Sequence, residues 1–460
     1  MSAASTDTTV PRPVLGAAAA CAAQFLIGAD GLAVAIALPT IQRDLHAAPI
    51  AGQWILTAYG LVFGGVLLLG GRLGDLYGRR RMLVLGMALF AAGALLAAAA
   101  PALGVLVAAR AVQGLGSALA VPAGLALIGS LFPPGPQRTR ALSILAATAS
   151  LGVMGGLLLG GTITGLLGWR WVFLLMAPLA LANAAAATAL LPEARAEDDR
   201  STRRPDVAGA VLVTTALMAL IFGLTRAEHA GVTAAITVAP AAAGLALLVA
   251  FVVHERRAAA PLVRLGILGV RSLRTATVCV GVNAVAFTAI VYVGTLYLQT
   301  RLRYSPVEAA LAILPLDLVA AVVSLAAGGV LARRPPRPLL VTSFALSAAA
   351  LLWLARTPVP ADYARDLSVP LVILGVSLPI AFVVLTNEAV ADVGAGEKGI
   401  ASGIFETANH LFGGAVGVAI YATLISAASY RAAFLGATVL AVLGVVAAAQ
   451  ASPRAARSAG

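Results

Sequence analysis

The sequence predicts an all-α membrane protein with fourteen transmembrane helices, arranged as two six-helix bundles with a two-helix insert. Three observations predict it. Of 460 residues, 60% are apolar and only 11% are charged, against about half and about a quarter in soluble domains. The apolar residues fall into fourteen runs bounded by charge, Pro or Gly, close to the ~20 residues that cross a bilayer core. With the N-terminus placed in the cytoplasm, 22 of the 31 Lys and Arg lie in inside segments, 8 lie outside and Arg110 lies within a run. That is the asymmetry of short cytoplasmic loops.

In chain order the runs cover 14–38, 51–70, 82–100, 102–131, 141–166, 170–191, 207–225, 232–253, 276–298, 308–332, 338–356, 367–390, 399–427 and 431–450. The first follows a polar leader and is too long for a signal-peptide core, so it reads as an uncleaved span. The second and eleventh are short. Two inside loops, 192–206 and 254–275, are long and charged, and they isolate the seventh and eighth runs as a pair. The expected organisation is a cytoplasmic N-terminus (1–13), a six-helix bundle (14–191), linkers with the two inserted helices (192–275), a second six-helix bundle (276–450) and a cytoplasmic tail (451–460). Such doubled bundles are common among secondary transporters.

The composition excludes a cytosolic enzyme, a disordered chain and a nucleic-acid-binding domain. The net charge of +12 is read as topology-setting loops, not as an anionic partner. Cys21 and Cys279 lie inside apolar runs and form neither a disulfide framework nor a metal site. No Gly-x-x-x-x-Gly-Lys-Ser/Thr loop is present to hold ATP phosphates, and no His/Cys cluster suggests a metal. No cofactor is expected.

The stretch between the second and third runs, GRLGDLYGRRRML (Gly71 to Leu83), is the most specific. Its glycines, Gly71 and Gly78 among them, allow a tight turn. Asp75 can accept hydrogen bonds from helix-end amides or from Arg79 and Arg80. An ion pair made in one state and broken in another would act as a gate latch.

Ionisable residues inside spans are rare and usually functional, because each costs about 2.5–3.5 kcal/mol at the bilayer centre. Asp30, Arg110, Asp317 and Glu406 are of this kind. Glu388 and Asp392 sit near the end of the twelfth run, where they are expected to reach water by snorkelling. A buried carboxyl exposed alternately to the two sides can load and unload protons, which nominates Asp30 and Glu406. Asp317 suits contact with a lipophilic cation. The alternative for each acid is a structural pair with a buried Arg. Glu406, Asn409, His410, Gly413, Gly414 and Gly417 share one face of a continuous helix, a face that lines a cavity or admits a neighbouring helix. Arg110, Gln113, Gly114 and Ser117 share another, with Arg110 requiring a partner. Gly152, Gly156 and Gly160 follow at four-residue steps and form a close-packing ridge, with Gly161 and Gly165 beside them.

GRLGDLYGRRR resembles the signature loop of the major facilitator superfamily. ADGLAVAIALPTIQRDL, WILTAYGL, ARAVQGLGSAL, GVMGGLLLGG with WRWVF, YLQTRLRYSP with AILP, and GIASGIFETANHLFGGAVGVA resemble its fourteen-helix drug:proton antiporter branch, which includes quaternary-ammonium exporters. The resemblance spans nearly the whole chain. It implies a monomeric exporter of lipophilic cationic compounds, driven by protons, in a bacterial cytoplasmic membrane with both termini inside. It implies proton coupling at Asp30, Glu406 and Arg110, and substrate contact at Asp317. Asn409, His410 and Gln113, polar on the faces that carry Glu406 and Arg110, are grouped with substrate contact. The chain departs from the branch at Leu157 (usually Pro), Ala35 (usually Asn), Leu76 (usually basic) and Ala58 (an acid in some exporters). A neutral natural product or metabolite is the alternative cargo.

Overall fold

A computed structural model describes residues 12–47, 49–191, 206–258, 261–304, 306–331, 334–358, 361–427 and 429–450. The N-terminal leader to residue 11, most of the 192–206 linker with its four arginines, Arg333, and the tail from residue 451 lie outside the described residues.

The long helices are α1 (Arg12–Asp44), α2 (Trp54–Tyr77), α3 (Arg79–Ala98), α4 (Leu103–Leu131), α5 (Pro136–Leu166) and α6 (Arg170–Leu190). The next two are α7 (Val207–Ala230) and α8 (Ala235–Glu255). Then come α9 (Arg271–Thr300), α10 (Pro306–Leu331), α11 (Pro336–Ala355), α12 (Tyr363–Ala389), α13 (Lys398–Ile425) and α14 (Tyr430–Ala449). Every run of the sequence thus forms one helix, and the apolar composition makes this a multi-pass membrane protein.

The elements depart from expectation in two places. The stretch Gly71–Leu83 is not a loop: α2 runs on to Tyr77 and α3 begins at Arg79, so Asp75 and Arg72 are helical. Gly78 alone makes the turn, at φ 100°, a conformation that costs glycine nothing. In α13, residues Leu411–Val416 form a π-helical turn, so the single 3.6-residue face expected from Glu406 to Gly417 is broken midway. A second π turn, Ala289–Gly294, lies in α9 opposite it.

Two cores separate the chain. One is drawn from α1 to α6 alone, around Phe90, Phe173 and Leu67. Another is drawn from α9 to α14, around Tyr421, Leu351 and Phe434. A third mixes both sets with α7 and α8, joining Leu68, Leu125 and Ile128 to Phe344, Leu385, Ile400 and Phe405. This shared core lies at the end of the molecule that carries Arg72, Arg79, Arg138 and Lys398, called below the basic end. The inserted pair leans on α2, where Ile221 and Met218 fill the space that Gly64 and Gly65 leave open.

The α5 ridge fits against α1 with no room for side chains. A Cβ on Gly152 would stand 2.5 Å from the Phe25 carbonyl oxygen, and one on Gly160 2.5 Å from the Ala33 Cα. A Cβ on Gly156 would collide with the Ala29 carbonyl. Gly165 faces open space and is no part of this seam, while Gly161 only touches Ile36 at ordinary distance.

Candidate functional site

Three groups of polar residues stand out, each positioned by a different set of helices.

The first lies between α1 and α4. Asp30 and Arg110 are both fully buried. Arg110 Nη1 donates to Asp30 Oδ2 at 2.6 Å and to Gln113 Oε1 at 2.7 Å, and its Nε donates to the Ile55 carbonyl at 3.3 Å. Gln113 Nε2 donates back to Asp30 Oδ1 at 3.3 Å. The guanidinium stacks over the Tyr59 ring at 4.2 Å, and Tyr59 Oη donates to Ser117 Oγ at 3.0 Å. The partner that Arg110 requires is therefore an acid and a carbonyl of α2. Arg110 Nη2 has no hydrogen-bond partner among the described residues. Gln113, grouped with substrate contact from the sequence, bridges the ion pair here, its amide supplying an acceptor to Arg110 and a donor to Asp30. Asp30 is fully buried against this cluster.

The second group surrounds a cavity of about 570 Å³ walled by α5, α9, α10, α12 and α13. Asp317, Asn409 and His410 line it, as do the open Gly414 and many apolar side chains such as Phe287, Leu378 and Phe382. Asp317 has no hydrogen-bond or ion-pair partner among the described residues. Glu406 is buried one turn nearer the basic end. Asn409 Nδ2 reaches it at 3.5 Å and His410 Nε2 lies 3.7 Å away, so it is only loosely held. The His410 ring meets the Phe63 edge with centroids 4.5 Å apart, linking α13 to α2. The π turn then aims Gly413 at Ala284 and Gly417 at Thr288, so the upper face of α13 packs on α9. Asn283 and Ser324 also line this cavity, and sequence reasoning missed both. A neutral polar residue within an apolar run carries no charge to mark it.

The third group closes the basic end. Asp75 Oδ1 and Oδ2 accept the amides of Gly399 and Ile400, each at 2.8 Å, and Arg79 Nη2 donates to Asp75 Oδ1 at 3.0 Å. These amides are orphan donors of the first turn of α13, where an anion is favoured. Lys398 Nζ donates to the Gly129 carbonyl in the last turn of α4 at 2.6 Å. Arg138 Nη2 does the same to the Asn387 carbonyl near the end of α12 at 2.9 Å. A charged side chain thus caps a helix end in the opposite set three times. Gly71 lets α2 approach so closely that its Cβ would strike the Gly399 carbonyl. Arg80 takes no part: it donates to the Thr188 carbonyl of α6. Glu388 is buried, not snorkelling, being 6% exposed, whereas Asp392 is exposed.

Comparison with known proteins fits this architecture. The family model described as Major Facilitator Superfamily matches residues 20–418. The puromycin resistance protein pur8 of Streptomyces alboniger is 37% identical over 425 residues, covering 91% of this chain and 83% of that protein. The cephamycin export protein CmcT of Amycolatopsis lactamdurans is 34% identical over 407 residues, covering 88% and 83%. Among solved structures, the human organic anion transporter MFSD10 superposes with a TM-score of 0.74 at 16% identity, covering 95% of this chain and all of that one. That likeness bears on the fold alone.

Proposed function

The chain belongs to the Major Facilitator Superfamily of membrane transporters, and from that premise we propose that it exports lipophilic cationic small molecules in exchange for protons. Asp317 carries the reading. A lone carboxyl in a largely apolar cavity attracts a compact cation and leaves the rest of the molecule to hydrophobic contact. Asn409 and His410 supply the polar margin. The relatives named for puromycin resistance and cephamycin export support export as the direction of transport.

The basic end lies in the cytoplasm under the positive-inside rule, with both termini on that side. The latched conformer is then the one that releases cargo outward. Unlatching Asp75 from Gly399 and Ile400, with Gly71 and Gly78 as the close contact and the turn, opens the cavity inward. Arg79 steadies the freed carboxylate. Protons arriving from outside are taken by Glu406, beside His410, or by Asp30. A proton on Asp30 ends its attraction for Arg110 and leaves that guanidinium to Gln113 and Ile55. The α1–α5 seam at Gly152, Gly156 and Gly160 lets the two helices move as one body. A single chain holds the whole cavity and works as a monomer.

The test is efflux in everted membrane vesicles with a fluorescent lipophilic cation. Addition of an uncoupler abolishes accumulation, and Asp317→Asn reduces it by at least tenfold. Unimpaired transport by D317N would sink the cationic reading. A neutral natural product or metabolite is the second reading, favoured by the apolar majority of the cavity wall. It is supported if uncharged compounds are moved equally well by wild type and D317N.

A further inference from the structure

Glu406 is set apart from the cavity that it would have to serve. Asn409 and His410 belong to the cavity wall, as Asp317 does, but Glu406 does not. The Glu406 side chain is 9% exposed, against 38% for His410. The two are four residues apart, one turn on the same face of α13. Glu406 is on the side of the basic end, where α2 and α13 pack so closely around Gly71 and Gly399 that neither has room for a Cβ. A proton that enters the cavity from outside therefore meets His410 or Asn409 before Glu406.

Of those two, only His410 can pass the proton on. The Asn409 amide reaches Glu406 Oε2 at 3.5 Å, but an amide does not ionise near neutral pH. An imidazole serves because one ring nitrogen accepts a proton while the other donates one. His410 Nε2 lies 3.7 Å from Glu406 Oε2. A rotation of the Glu406 carboxylate that brings it roughly 0.5 Å nearer reaches the ~3.2 Å needed for transfer. Phe63 of α2 packs on the imidazole, centroids 4.5 Å apart, and supplies no competing donor or acceptor.

We infer that His410 is the relay through which protons pass between the cavity and Glu406. A hydronium ion in the cavity gives a proton to Nδ1 as the Nε2–H bond breaks, and the proton leaving Nε2 forms the O–H bond of Glu406. Water, a neutral carboxyl and the other neutral tautomer of the ring remain. Rotation of the ring then returns an N–H to the Glu406 side for the next cycle. The inference rests on the reading that Glu406 takes the proton. It gives His410 a task separate from that of Asp317, which holds the cation, and from its own polar contact with cargo, which glutamine retains.

The experiment uses the purified full chain in proteoliposomes with radiolabelled ethidium, in two modes. Uptake driven by an acidic lumen requires a proton to cross in every cycle. Exchange of outside label for unlabelled ethidium inside, with no gradient, requires no change in the protonation of Glu406. His410→Gln keeps a polar side chain of similar reach but cannot shuttle a proton. It is expected to lower gradient-driven uptake about tenfold or more and to leave exchange within about twofold of wild type. Glu406→Gln is expected to show the same split, and H410Q/E406Q to be no worse than E406Q, because the two residues act in series. Gradient-driven uptake by H410Q at the wild-type rate overturns the inference. So does loss of both modes in H410Q and in His410→Asn, which makes His410 a cargo contact or a packing residue. An E406Q variant that keeps gradient-driven uptake removes the Glu406 reading itself. An E406Q variant that loses it beside an unimpaired H410Q preserves that reading and removes only the relay.

Discussion

Arg110 and Asp30 meet at 2.6 Å with neither side chain exposed, so two opposite charges share a buried pocket between α1 and α4. Removing one partner of such a pair costs about 3–5 kcal/mol, because the other charge is stranded. Asp30→Asn is therefore expected to lower the thermal stability of the purified protein sharply and to abolish efflux. Pairing it with Arg110→Met removes the stranded charge and restores most of the stability without restoring transport. Equal stability of D30N and wild type would mean that the pair carries no such strain.

Asp75 holds the first turn of α13 through Gly399 and Ile400. Asp75→Ala removes this anion from a helix N-terminus that favours one, an effect of about 0.3–2 kcal/mol. The expected result is a shift toward a conformer open at the basic end. In a background lacking Cys21 and Cys279, a cysteine in place of the fully buried Ser402 reports it. Alkylation of that thiol rises several-fold in D75A relative to the parent. An unchanged rate would show that Lys398 and Arg138 close this end unaided.

The elements were legible because bilayer thickness and hydrogen-bond satisfaction leave a chain this apolar one option, a row of long helices. Gly152, Gly156 and Gly160 were legible as a seam because helical periodicity alone aligns them. Partners were not. Arg110 needed an acid, but nothing local chooses Asp30, 80 residues away, over Glu406 or Asp317. The π turn in α13 leaves no trace in composition, so a regular helix predicts one straight face from Glu406 to Gly417 where the chain breaks it. Nearness to a helix end predicts that Glu388 reaches water, whereas neighbouring helices bury it. Asn283 and Ser324 escape a sequence reading because a neutral polar residue in an apolar run carries no charge to mark it, and only the packing of the helices puts them on the cavity wall.

The α1–α5 seam gives a prediction with an internal control. At Gly156 an added Cβ meets the Ala29 carbonyl, a backbone atom that cannot swing aside. Gly156→Val forces the helices apart and costs at least the ~1–3 kcal/mol of an overpacked site. Gly165, in the same helix, has nothing within 4 Å of the added atom. Gly165→Ala is expected to leave the melting temperature unchanged or slightly raised, since alanine is the better helix former. Comparable losses in the two variants would show that helix propensity, not the seam, governs α5.

Asp206 caps the inserted pair at its base. Its Oδ1 accepts the Gly209 amide at 2.9 Å, and His254 Nε2 of α8 lies 2.9 Å from Oδ2. Partial burial acts to raise the carboxyl, but the Gly209 amide and His254 outweigh it and hold Asp206 below the usual carboxylate range. A depressed carboxyl contributes stability above its unfolded pKa, about 3.9. That stability is lost as the pH falls through the folded value. Hydrogen exchange at the Gly209 amide, corrected for intrinsic rates, is therefore expected to show constant protection from pH 7 to about pH 4.5 and a decline below it. Asp206→Asn keeps an N-cap acceptor but cannot ionise, so its protection is expected to stay flat across the same range. A decline of equal size in D206N would assign the acid sensitivity to Glu255, whose carboxylate receives the Leu262 and Val263 amides at 3.3 and 3.1 Å beside the same cap.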